Sequence, residues 1–78
     1  MSQEDQKAGG IDLKSCLETI VDDTGIVETA YGGFMITIVD HIRFPWYDTF
    51  NFLVGESFEV WVDKKDANLV IKSKPKIA

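Results

Sequence analysis

Apolar residues recur at every second position near the end of the chain: Phe58, Val60 and Val62 alternate with Ser57, Glu59, Trp61 and Asp63. In an extended chain alternate side chains point to opposite faces, so this run predicts a strand with one apolar face and one mixed face. Leu69 and Ile71 repeat the alternation, and the polar residues 63–68 between the two runs predict a hairpin with a longer loop rather than a two-residue turn. This hairpin, spanning residues 53–72, is the element on which the remainder is expected to pack.

The period changes in the N-terminal third. Leu13, Cys16, Leu17, Ile20 and Val21 follow i, i+3, i+4, i+7, i+8 spacing, which predicts an amphipathic helix. Asp12 is placed to cap it, Ile11 to staple onto Cys16, and Gly25 to end it. Ser15 with Glu18 forms a rival capping pair, and Asp22 and Asp23 oppose the helix dipole at its C-terminal end. A hairpin turning at 22–25 is therefore the competing reading of residues 19–30. Beyond Gly25 the pattern is β: Ile26 to Ala30 reads as a strand, Tyr31-Gly32-Gly33 as a turn, and Phe34, Ile36 and Ile38 as one face of a second strand. Pro45 then breaks the pattern. Residues 46–53 carry two signals: Pro45 suits a helix start, whereas the aromatics, Thr, Asn and Asp of the segment are poor helix formers, which favours a strand.

The expected fold is α+β and mostly β, with a short N-terminal helix on a small four- to five-stranded antiparallel sheet or barrel. Residues 1–10 hold no large apolar side chain and end in two glycines, so they read as a disordered leader to a single domain over 11–76. At 78 residues the chain buries a core near the lower workable size. Its lone cysteine excludes an internal disulfide and points to a reducing, cytoplasmic setting, and it has no apolar run of membrane-spanning length.

The net charge of −5 lies entirely in residues 1–30, whereas residues 31–78 balance to zero. On average such a chain repels polyanions. The exception is the C-terminal strip of Lys64, Lys65, Lys72, Lys74 and Lys76. Such lysines commonly keep an edge strand soluble, and they are also the side chains that meet phosphates.

Reactive constellations are sparse. Asp23-Thr24-Gly25 resembles the triplet of retroviral-type aspartic proteases, but the apolar-Gly motif that braces such a site is missing, so the triplet reads as a turn. Cys16 and His41 have no orienting third group, and one histidine among scattered carboxylates has no metal-ligand spacing. Tyr31-Gly32-Gly33-Phe34-Met35 matches the methionine-enkephalin pentapeptide, but no paired basic residues flank it. Neither catalysis, a cofactor nor a metal is expected.

Two binding readings remain. Trp46, Tyr47, Phe50 and Trp61 supply the large aromatic area that dominates protein interfaces, and Trp61 sits opposite the apolar ribbon of its strand. This favours a non-enzymatic regulatory or inhibitor module that docks a protein partner, steered by its acidic third, with a homodimer as a further expectation. The alternative is a nucleic-acid-binding regulator using Arg43, Lys64, Lys65, Lys72 and Lys74, with Trp46 or Tyr47 stacking on bases. Residues 24–76, with Gly55-Glu56 leading into an alternating strand that ends Val62-Asp63 and a return strand ending in lysines and proline, resemble the swapped-hairpin domains of the AbrB and MazE kind. That resemblance implies an intertwined homodimer that reads DNA with basic loop residues.

Overall fold

The computed structural model describes residues 12–30 and 32–76. The expected leader at 1–10, the Ile11 staple and Tyr31 lie outside these residues. Helix α1 (Leu13–Val21) begins where Asp12 accepts hydrogen bonds from the backbone N–H groups of Lys14 and Ser15, and the Ser15 hydroxyl donates to the same carboxylate. Ser15 thus supports the Asp12 cap and does not start a second one. Leu17 and Val21 are its buried side chains, as the helical spacing requires. The helix ends at Asp22, which takes a left-handed φ of 53°, and a 3-10 turn (Asp22–Thr24) follows. Gly25 therefore opens a strand instead of closing the helix, and the competing hairpin at 22–25 does not form.

Strands β1 (Gly25–Ala30) and β2 (Gly33–Ile38) pair one-to-one, Ala30 opposite Gly33, so two residues link them. Gly32 has φ 81°, the conformation such a tight turn demands. Helix α2 (Trp46–Gly55) then leads to strands β3 (Phe58–Lys65) and β4 (Asn68–Pro75). The sheet order is β1-β2-β4-β3, antiparallel throughout, with β1 and β3 at the edges. The fold is α+β: an open four-stranded sheet with helices packed on it, and no barrel closes among the described residues.

Two further sequence expectations need correction. Residues 46–55 form a helix, not a strand. Pro45 stands just before the first turn, where its missing N–H costs nothing, and its carbonyl accepts from Thr49 N–H at 3.0 Å. Trp46 and Phe50, four residues apart, stack at 6.3 Å, while Thr49 and Leu53 are fully buried. Packing on the core outweighs the segment's weak helix propensity. The second correction concerns the C-terminal hairpin. Leu53 to Gly55 belong to α2, β3 runs on to Lys65, and only Asp66 and Ala67 form the turn, with Asp66 at φ 57°. Asp tolerates this left-handed conformation, so the expected long loop is unnecessary.

The core lies on the helix face of the sheet. Val27, Ile36 and Ile71 align across β1, β2 and β4, and pack with Phe34 and Ile38 against Leu17, Val21, Phe44 and Leu53. Val62 continues the row onto β3 but is 46% exposed, because the hairpin extends past the helices.

Candidate functional site

The opposite face of the sheet has no layer on it among the described residues. Its central row runs Glu28, Met35, Lys72, Trp61 across all four strands, and a neighbouring row runs Ile26, Thr37, Val70, Asp63. Pleating puts these residues on the face away from Val27, Ile36 and Ile71. Val70 is buried yet belongs to no part of the core cluster, Trp61 is 42% exposed and Ile26 is 54% exposed. Ile26, Met35, Val70 and Trp61, four of these eight residues, make the face part apolar.

A shallow groove of about 740 Å³ lies over the Met35, Lys72 and Trp61 part of this face, lined also by Lys64, Lys65 and Lys74. Lys72 and Lys74 alternate along β4, placing both ammonium groups on the Trp61 side. Lys64 belongs by alternation to the other face, although it too borders the groove. One carboxylate, Asp63, lines the groove with the four lysines, and Lys72 Nζ donates to its Oδ2 at 3.3 Å. The Lys64 backbone N–H also donates to Asp63 at 2.8 Å. That bond first, and the Lys72 ammonium second, hold the Asp63 carboxyl below the usual carboxylate range. Glu59 stands opposite Lys74 on β3, so the rim contains both signs, but the groove lining is cationic.

The remaining sequence candidates are not in this groove. Arg43, in the loop between β2 and α2, pairs with Asp23 at 3.1 Å and with Asp40 at 3.5 Å. The hydrogen-bonded Asp23 carboxylate, with Asp40 adding to it, raises the guanidinium above its already high ordinary value. Trp46 turns inward: its ring meets Phe44 edge-on at 4.9 Å, and its Nε1–H donates to the His41 carbonyl at 2.9 Å. Phe50 packs on the core beside it, whereas Tyr47 is 78% exposed on α2. Tyr47 thus lies on the helix side and Trp61 on the open side, so the four aromatics do not form one surface.

No hydrogen bond or ion pair joins Cys16, Asp23 and His41 among the described residues. Cys16 lines a small cleft with Ile20 and Phe52, His41 is exposed in a turn, and Asp23 is taken up by Arg43. The described residues hold no group of three or more metal-ligating side chains, and none of their helices is long and apolar enough to cross a membrane. The role of Met35 in the groove floor escaped the sequence reading, though its register was implicit in it, since Met35 alternates with Phe34 and Ile36. No protein-family model, curated protein or solved structure matches this chain, and none bears on the resemblance to AbrB and MazE domains.

Proposed function

We propose that the protein is a non-enzymatic binding module, and that the groove around Trp61 takes a single-stranded nucleic acid. One observation carries this reading: four lysines and an exposed tryptophan surround a single groove on an uncovered sheet face. Ammonium groups meet phosphates, and a tryptophan face stacks on any base, which together are the requirements of sequence-tolerant single-strand binding. An extended acidic peptide fits the charge but not the backbone. The N–H and C=O groups of β2 and β4, flanked on both sides, are engaged within the sheet, so a peptide lying across it would find no main-chain partners. A docking helix would need a continuous apolar patch, and the lysines interrupt this one. The acidic carboxylates of α1 and the following turn lie on the helix side and disfavour a duplex that wraps further round. The lone Cys16 supports a reducing, cytoplasmic setting.

The test is fluorescence anisotropy of a labelled single-stranded oligonucleotide against salt. With about three to four phosphates neutralised, the slope of log Kobs on log salt should be about −2 to −3. Trp61→Ala should weaken binding by about 1–3 kcal/mol, and each of Lys64→Ala, Lys65→Ala and Lys74→Ala should flatten the slope by about 0.7. Arg43→Ala should change neither. Absence of binding at low salt, or binding of a poly-glutamate peptide in preference to the oligonucleotide, overturns the reading and returns the groove to a protein partner.

A further inference from the structure

The free edge of β1 differs from the free edge of β3. Antiparallel pairing directs the backbone groups of alternate residues toward the neighbour strand and those between them away from it. The Thr24 carbonyl accepts from Val39 N–H at 2.8 Å, and the β1–β2 register is continuous from there to Ala30 opposite Gly33. Ile26, Glu28 and Ala30 therefore bond inward to β2, which leaves the N–H and C=O groups of Gly25, Val27 and Thr29 facing out. No hydrogen bond to these outward groups is made among the described residues.

Edge strands are normally guarded by lysines, prolines, inward charges or bulges. Strand β3 carries Glu59, Asp63, Lys64 and Lys65. Strand β1, with sequence Gly-Ile-Val-Glu-Thr-Ala, has a single charge, no proline and no bulge in its register. Half of the Ile26 side chain is exposed beside this edge. We infer that β1 pairs antiparallel with β1 of a second copy, making one continuous eight-stranded sheet.

The strand's own pattern selects a second copy over an unrelated strand. If the two-fold axis passes through the sheet at Val27, the partner's core face stays on the same side, and Val27 meets its own copy. Glu28 then stands opposite Ile26 of the partner, Gly25 opposite Thr29, and no like charges are opposed. About six main-chain hydrogen bonds form across the edge from the three outward residues of each strand. The neighbouring in-plane choice, centred on Glu28, would set two carboxylates against each other. A one-residue offset would bring core-facing side chains against open-face ones. A small core also gains most from such an extension. The inference does not rest on the groove, which meets β1 only at Ala30.

Light scattering of the full chain across micromolar to millimolar concentration, together with amide hydrogen exchange, tests it. The expected mass rises toward twice 8.8 kDa, and the amides of Val27 and Thr29 become at least about tenfold more protected as the dimer fills. The amides of Ile26 and Glu28, bonded already in the single chain, should change far less. Thr29→Pro removes an N–H with no partner among the described residues, so the variant should keep its circular dichroism and lose the dimer. A single-chain mass at every concentration overturns the inference. So does a dimer whose Val27 and Thr29 amides exchange freely, or one that survives Thr29→Pro. Protection of these amides at single-chain mass would show the edge covered by the chain's own remaining residues, which overturns it equally.

Discussion

The same substitution, glycine to alanine, should have three different consequences at three positions, and the largest tests the packing of the sheet centre. A Cβ on Gly33 would lie 2.6 Å from the Ser73 carbonyl carbon and 2.7 Å from Lys74 Cα, with the Ser73 oxygen closer still. Carbon atoms rest at about 3.5–4.0 Å, so β2 and β4 must separate by about 1 Å at this point. These atoms are backbone of a central strand and have no flexible end to swing aside. A separation of that size takes a 2.9 Å hydrogen bond beyond any useful length. It also breaks the bridge in which Ser73 Oγ receives the Phe34 N–H and donates to the Phe34 carbonyl, both at 3.3 Å. Two to three hydrogen bonds at about 1 kcal/mol each, plus the loosened packing of Phe34, give a loss of about 3–4 kcal/mol. A chain of this size has about 4–12 kcal/mol in total, so Gly33→Ala should remove between about a quarter and nearly all of the stability. At Gly32 a Cβ meets nothing within 4 Å, and only the φ of 81° is penalised, by about 1 kcal/mol. At Gly55, in the last turn of α2 and again with open space, alanine should stabilise by up to about 0.5–1 kcal/mol. Urea denaturation of the three variants decides the matter. A Gly33→Ala midpoint no lower than that of Gly32→Ala would refute the close approach of β2 and β4.

Thr49 is fully buried in α2, and its hydroxyl has no hydrogen-bond partner among the described residues; Thr49→Val, equally β-branched, should raise stability by about 1 kcal/mol and Tm by about 4–8 °C, whereas a lower Tm in a thermal melt would contradict the assignment. Trp46→Phe removes the indole bond to the His41 carbonyl while keeping most of the ring packing, and should cost about 0.5–1.5 kcal/mol by chemical denaturation. Asp63 should titrate below the ordinary aspartate value of about 3.9 in a carboxyl NMR titration, and Lys72→Ala should bring it part of the way back. Because the folded-state pKa is the depressed one, the associated stability is complete above the unfolded-state value and is lost as pH falls through the folded-state value; the solvent-exposed position keeps the effect small.

Elements whose signal is local were readable from the residues alone. The cap at Asp12, the apolar stripe through Leu17 and Val21 and the alternation through Phe58, Val60 and Val62 each depend on near neighbours, and each reappears in the fold. Helix α2 was not readable, because its composition disfavours a helix and its reasons are distant: Leu53 and Thr49 are buried in an interior that other elements build. The hairpin turn failed differently. Asp66 at φ 57° is a conformation the sequence permits but does not announce, so the polar stretch reads as a loop although its lysines belong to the strand.

The groove shows why a site of this kind stays hidden until register is known. Trp61 and Lys72 are directly opposed within one hairpin, and Met35 stands next in the same row from a strand far from that hairpin in the chain. Alternation assigns each of them to the minority face of its own strand, but cannot say that the three minority faces coincide or that nothing covers them. Coincidence follows from the order β1-β2-β4-β3, which the crossover through α2 imposes by carrying the chain over one face only. A helix placed on the other face would have buried Trp61 and Met35 and left the lysines as a solvated fringe. The lysines matter as a group because both connections, the α2 crossover and the two-residue turn at Asp66, leave that face free.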